Sequence, residues 1–187
     1  MPIQNLGLTF GTYMYEGDIN FQGYGQGSPR IGHYLDYWEE RFQYRPIFKF
    51  NADGFSGQIL SASFNFYCDK TGGSDADFTI HKVNKAVTTG ASWYSAGSNA
   101  WSIMGCSATE EDRTADTFRA SQGFTTIGWA SFEITNLTLL NTWLASQRAI
   151  VLINAQSPTD YASIALSPAP YLAVEYKTSI VGGIQIF

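Results

Sequence analysis

The sequence predicts an all-β fold, an antiparallel β-sandwich with one short helix. The first observation is the segment 45–69, which reads as two alternating strands joined by a Gly-containing loop. In its second strand Ala62, Phe64, Phe66 and Cys68 fall on one face, and Ser61, Ser63, Asn65, Tyr67 and Asp69 on the other. A period of two marks a strand with one face in a core and one in water, as in a sandwich layer. The second observation is that strand-like runs recur along the whole chain, divided by clusters of Gly, Ser, Asn and Asp. That spacing belongs to a sandwich and not to alternating βα units.

In order, the runs are residues 12–16, 30–33, 45–50, 59–69, 77–83, 128–134, 149–154, 163–166 and 171–176. One helix is expected after Thr135. Leu137, Leu140, Trp143 and Leu144 share a face at helical spacing, with Thr135 or Asn136 as the N-cap. It would close one end of the sandwich. Residues 86–122 form a long Gly-, Ser- and Thr-rich stretch with Trp93, Trp101 and an acidic run at Glu110, Glu111 and Asp112. A connection of that length is either functional or carries structure of its own. The two Trp residues read as core pegs beneath it, and the acidic run as a solvated charge cluster.

The chain of 187 residues, 44% apolar and 16% aromatic, suffices for one sizeable core. Length alone admits two small domains; the pattern reads as one, over residues 1–177, followed by an apolar tail at 178–187. Only 14% of residues are charged and the net charge is −5, which argues against a nucleic-acid partner. An anionic polysaccharide would need a local cluster of Lys or Arg, and none is visible in the sequence. No run reaches the roughly 18 apolar residues of a membrane span. The N-terminus has neither the basic nor the apolar region of a secretory signal. The protein is expected to be made without export or to have lost a leader, Met1 favouring the former. Cys68 and Cys106 read as reduced, structural thiols.

Several segments, taken in order, resemble one family. Residues 12–25, Thr-Tyr-Met-Tyr-Glu-Gly-Asp-Ile-Asn-Phe-Gln-Gly-Tyr-Gly, look like an opening in which an acidic residue and an Asn precede a Tyr-Gly pair. Arg30-Ile31-Gly32 follows as a short strand, Arg45 to Asn51 resembles an Arg…Phe-Asp strand, and Gly57 to Tyr67 an Ile-x-x-Ala-x-Leu-x-Leu-Tyr strand. Ile80 to Val83, then Thr89 to Trp93 and Trp101 to Gly105, resemble its Trp-containing connections; Trp129 to Thr135 and Pro170 to Tyr176 resemble its last strands. The family is the DNRLRE, or disaggregatase-related, β-sandwich family, allied to carbohydrate-binding modules. The resemblance implies a jelly-roll-like, non-catalytic sandwich. Asn51 stands where the family often has Asp, Ser92 where it has Thr, and the acidic residue before the first Trp connection is missing.

Catalytic chemistry is hard to assemble from these residues, and no enzyme is expected. His33 and His81 lie in different strands and read as ordinary strand residues. Residues 54–57, Gly-Phe-Ser-Gly, lack the spacing of a nucleophile elbow. Glu16, Asp18 and Asn20, at i, i+2 and i+4 in a Gly-rich turn, are candidate ligands for a structural Ca²⁺, which favours several oxygen donors. The alternative is a turn that uses its Asp and Asn for its own hydrogen bonds. Tyr34, Tyr37, Trp38, Phe42 and Tyr44 form an aromatic-rich segment interleaved with charge. It is a candidate glycan platform, a candidate protein interface, or in part core. Ile184, Ile186 and Phe187 would complete a strand or dock on a neighbour.

Two functions follow. The first expectation is a structural or attachment protein of a particle, most simply a decoration or tail protein on a phage virion, acting as a homo-oligomer or on a scaffold such as a capsid. The second is a carbohydrate-binding module for a cell-surface or matrix polysaccharide. The expected location is the virion surface or the extracellular space.

Overall fold

A computed structural model describes residues 1–35, 41–72, 76–154 and 161–178. The strands are β1 (Ile3–Tyr15), β2 (Arg30–Leu35), β3 (Arg41–Phe50), β4 (Gln58–Gly72), β5 (Ala76–Val83), β6 (Arg113–Thr117), β7 (Gln122–Phe124), β8 (Gly128–Glu133), β9 (Ala149–Asn154), β10 (Tyr161–Ile164) and β11 (Tyr171–Lys177), with one helix, α1 (Leu137–Leu144). All pairings between them are antiparallel. The all-β sandwich is therefore observed.

Two layers face each other. One carries β1, β11, β4 and β8, and the other β1, β3, β9 and β5, with β6 and β7 on β5. β1 serves both layers. Its first half pairs with β11 from Ile3 to Gly7; after a bulge between Leu8 and Phe10, its second half pairs with β3. A bulge bends a strand and sharpens its twist, which lets one strand turn from one sheet to the other. β10 pairs with both β4 and β2, so the ring β1–β11–β4–β10–β2–β3–β1 closes. Closure leaves fewer open edges to aggregate.

The main core lies between the layers. Phe48, Phe50, Phe64, Phe66, Phe78 and Phe132 are wholly or almost wholly buried there. At one end α1 inserts Leu139, Leu140 and Trp143, whose ring meets Phe50, Phe64 and Phe118 edge-on. Asn136 is the N-cap, its side chain accepting from Leu139 N–H at 3.0 Å.

A second core lies on the far side of the β3–β9–β5 sheet. Met14, Ile47, Val83, Ala149 and Val151 meet Val87, Trp93, Trp101 and Cys106 from the connection after β5. Residues 84–112 thus cap that sheet. The sequence of β9 states this: Ala149, Ile150, Val151 and Leu152 are all buried, a continuous apolar run because both faces are covered. Trp93 and Trp101 are core pegs, as expected. Cys68 and Cys106 are free and buried.

Candidate functional site

Opposite faces of the fold differ in what they leave open. Near the ends of β1, β2 and β3, aromatic rings gather. Register places Tyr15 opposite Tyr44, and the two rings stack 4.8 Å apart at 13°. Phe42 meets Tyr15 edge-on at 5.8 Å, and Phe21 packs on Tyr13 at 5.3 Å. Gly32 lies opposite Tyr44 on one side and Tyr161 on the other. With no side chain between them, these rings meet at 6.5 Å across the glycine. The Arg30 guanidinium covers the Tyr44 ring at 5.5 Å and the Tyr13 ring at 6.0 Å, a cation–π arrangement that holds the cluster together.

Beside this cluster is an open cleft of about 370 Å³ lined by Ser28, Arg30, Asp69, Lys70, Tyr161 and Ser163. Ser28 donates to the Asp69 carboxylate at 2.5 Å, and Lys70 Nζ lies 5.7 Å from the centre of the Tyr161 ring. Arg30 and Lys70 are far apart in sequence, so their sharing of one cleft with Asp69 could not be read there.

Of the aromatic residues singled out from sequence, Tyr44 is buried and Phe42 half-buried, both in the cluster. Tyr34 lies in β2 opposite Phe42. Tyr37, Trp38, Ile184, Ile186 and Phe187 lie outside the described residues. The candidate calcium ligands sit where β1 leaves the sheet. Glu16 Oε2 accepts from Gln43 N–H at 3.0 Å, and Asp18 Oδ1 from Asn20 N–H at 3.1 Å. The second is the bond a turn makes with its own Asp, and the first ties the end of β1 to β3. Among the described residues no three His, Cys, Asp or Glu side chains converge as metal ligands.

The acidic run after the cap divides. Glu110 and Glu111 are exposed, but Asp112 is 0% exposed, contrary to the expectation of a solvated cluster. Its carboxylate accepts from the N–H groups of Ser102 (2.8 Å), Ile103 (3.1 Å) and Ala108 (3.2 Å) and pairs with Lys85 at 2.9 Å. Burial pushes this carboxyl up, but the Ser102 N–H, the Lys85 ammonium and the other N–H donors outweigh it and hold it below its ordinary value. Beneath the cap, Arg45 lies 4.9 Å over the Trp93 ring and donates to Gly105 O and Ser107 Oγ, each at 2.7 Å. Gly105 has a φ of +75°, and a Cβ there would come within 2.7 Å of Trp93. Burial raises the Cys106 thiol to about 12, with Asp112 adding to it, so this thiol is inert. These groups brace the cap.

No protein-family model matches this chain, and no curated protein matches it significantly.

Across the molecule, no segment among the described residues caps the outer face of β8, β4, β11 and the start of β1. Trp129 is 51% exposed there; it stands opposite Tyr67 and meets that ring edge-on at 5.7 Å and Tyr171 at 5.4 Å. The sequence carried half the signal: Tyr67 falls on the wet side of the alternation in β4. Trp129 and Tyr171 were passed over because each looks like an ordinary strand aromatic until register sets them together.

Proposed function

We propose that this chain is a non-catalytic structural or attachment protein of a particle, at home on a phage virion surface as a decoration or tail protein. The observation that carries this reading is the aromatic end. Tyr15, Phe21 and Phe42 are half-buried rings braced by Tyr44 and Arg30, beside the segment that holds Tyr37, Trp38 and Arg41. Tyr, Trp and Arg are the residues that anchor protein interfaces, and a rigid cluster loses little freedom on docking. Its partners are further copies of the chain or a scaffold such as a capsid, and its location is the virion surface or the extracellular space. The resemblance to the DNRLRE sandwiches supports the non-catalytic part of this reading.

A second reading, a carbohydrate-binding module, draws support from the exposed ring of Trp129 and its two Tyr neighbours. The two readings overlap where a particle binds a host glycan. Sedimentation of the wild-type chain and of Tyr37→Ala/Trp38→Ala, with a melting curve to show that both are folded, tests the first. Self-association in the wild type that is lost in the variant is expected. Unchanged assembly together with lost sugar binding would make glycan recognition the main role of that segment.

A further inference from the structure

The uncapped face has a composition that fits one kind of ligand. Strand pairing sets Tyr67 beside Trp129, then Asn65 between Ser131 and Tyr171, then Ser63 between Glu133 and Ala173, then Ser61 beside Glu175. The buried partners Ala62, Phe64, Phe66 and Cys68 fix these as the outward residues. Aromatic rings therefore occupy one end of the face and carboxylates the other. Between the carboxylates runs a shallow groove of about 270 Å³ with Ser61, Ser63 and Ala173 as its floor and Ile3, Glu133 and Glu175 along its sides. From Trp129 to Glu133 is about 13 Å along an extended strand.

We propose that this face binds a neutral pyranose glycan, Trp129 and Tyr171 stacking on sugar rings while Glu133, Glu175 and the serines bond the hydroxyls. This rests on the carbohydrate-binding reading and names its site and ligand. Three observations point to this occupant. Flat rings give a large apolar contact to the C–H face of a pyranose without ordering long side chains. Ionised carboxylates only accept hydrogen bonds, so they suit a ligand rich in O–H donors. From Trp129 to Glu175 the paired outward positions hold two Glu and neither Lys nor Arg, Lys177 standing past the bulge at the far end of β11, so this stretch of the face disfavours an anionic sugar. A small-residue floor lets the chain of sugars lie close to the sheet. The Ser61 hydroxyl already donates to Glu175 at 2.9 Å, which orients that carboxylate.

Titration of the full chain with cellohexaose, xylohexaose and mannohexaose, and separately with oligogalacturonate, tests it through tryptophan fluorescence and calorimetry. Saturable binding of at least one neutral hexasaccharide is expected, weakened ten-fold or more in Trp129→Ala and several-fold in Glu133→Gln, and unchanged in Tyr37→Ala/Trp38→Ala. Trp129→Phe, which keeps a ring, should retain most of the affinity. Binding of a neutral sugar that Trp129→Ala leaves intact and Tyr37→Ala/Trp38→Ala abolishes would overturn this site while the carbohydrate reading stood. Binding of oligogalacturonate alone would move the ligand to the Arg30 and Lys70 cleft and overturn this site too. Silence with every probe would overturn both. A dimer broken by Trp129→Ala in sedimentation would instead assign the face to a second copy.

Discussion

His81 shows how a single buried side chain sets the response of the domain to acid. Its Nε2 faces Thr79 Oγ1 at 2.8 Å, and its Nδ1 faces Thr114 O at 2.9 Å, with Arg113 close by. Whichever ring nitrogen carries the proton, the neutral imidazole has a partner on each side, Thr79 Oγ1 at Nε2 and Thr114 O or the Arg113 guanidinium at Nδ1. Burial, aided by the Arg113 charge, lowers its pKa to about 4. In the unfolded chain the ordinary value is about 6.5. Between those values the unfolded state holds more protons, so stability falls as the pH drops from 6.5 to 4. The loss from this group is about 2 kcal/mol by pH 5 and about 3 kcal/mol below pH 4. Urea denaturation at pH 7 and pH 5 should show that drop in the wild type and a flatter response in His81→Gln. An equal drop in both would assign the acid sensitivity elsewhere. The sequence named His81 as a strand residue, which it is, but the partners that make it pH-sensitive come from β6, a strand with no hydrophobic period.

At the scale of elements, the cap over the second core hangs on Asp112. Replacing this residue by Ala leaves three backbone N–H groups without their acceptor and Lys85 without its counter-ion, though its ammonium keeps Ala100 O and Ser102 Oγ. Leaving a buried N–H donor without its acceptor costs about 1–3 kcal/mol, and the local effect should be sharper than the global one. Hydrogen exchange of Asp112→Ala should accelerate at Ser102, Ile103 and Ala108 while β4 and β9 stay protected; uniform acceleration would mean the cap does not open by itself.

Every strand expected from alternation is present, because apolar residues at period two report a buried face whatever the partner. The elements that escaped did so for physical reasons. The part of β1 before Thr12 contains Gly7 and Gly11, which read as punctuation in a chain rich in Gly turns. β6, Arg-Thr-Ala-Asp-Thr, is a polar strand that exists only because β5 offers it an edge. The cap followed the rule for long connections and did carry structure of its own. Asp112 was misjudged because sequence neighbours suggest shared exposure, whereas the turn from Ala108 to Arg113 points this carboxylate inward and leaves Glu110 and Glu111 in water.

For the molecule as a whole, the described residues gather aromatic rings at the end of β1, β2 and β3 and on the outer face around Trp129. The aromatic end was legible as a crowded segment, and its Phe42 and Tyr44 do join the cluster. Its cationic cleft and the Trp129 face were not, since each is made by pairing residues distant in sequence. The two surfaces are assigned to two tasks, protein docking at the end and sugar contact on the face.

Hydroxyl-radical footprinting of the wild-type chain, compared between dilute and concentrated solution, tests that division most directly, because Tyr, Phe and Trp report their own solvent access. On association, protection is expected at Tyr15, Phe21, Phe42 and Tyr161, with Trp129 and Tyr171 as reactive as before. Protection centred on Trp129 and Tyr171, or a chain whose aromatic end stays equally reactive at every concentration, would contradict it.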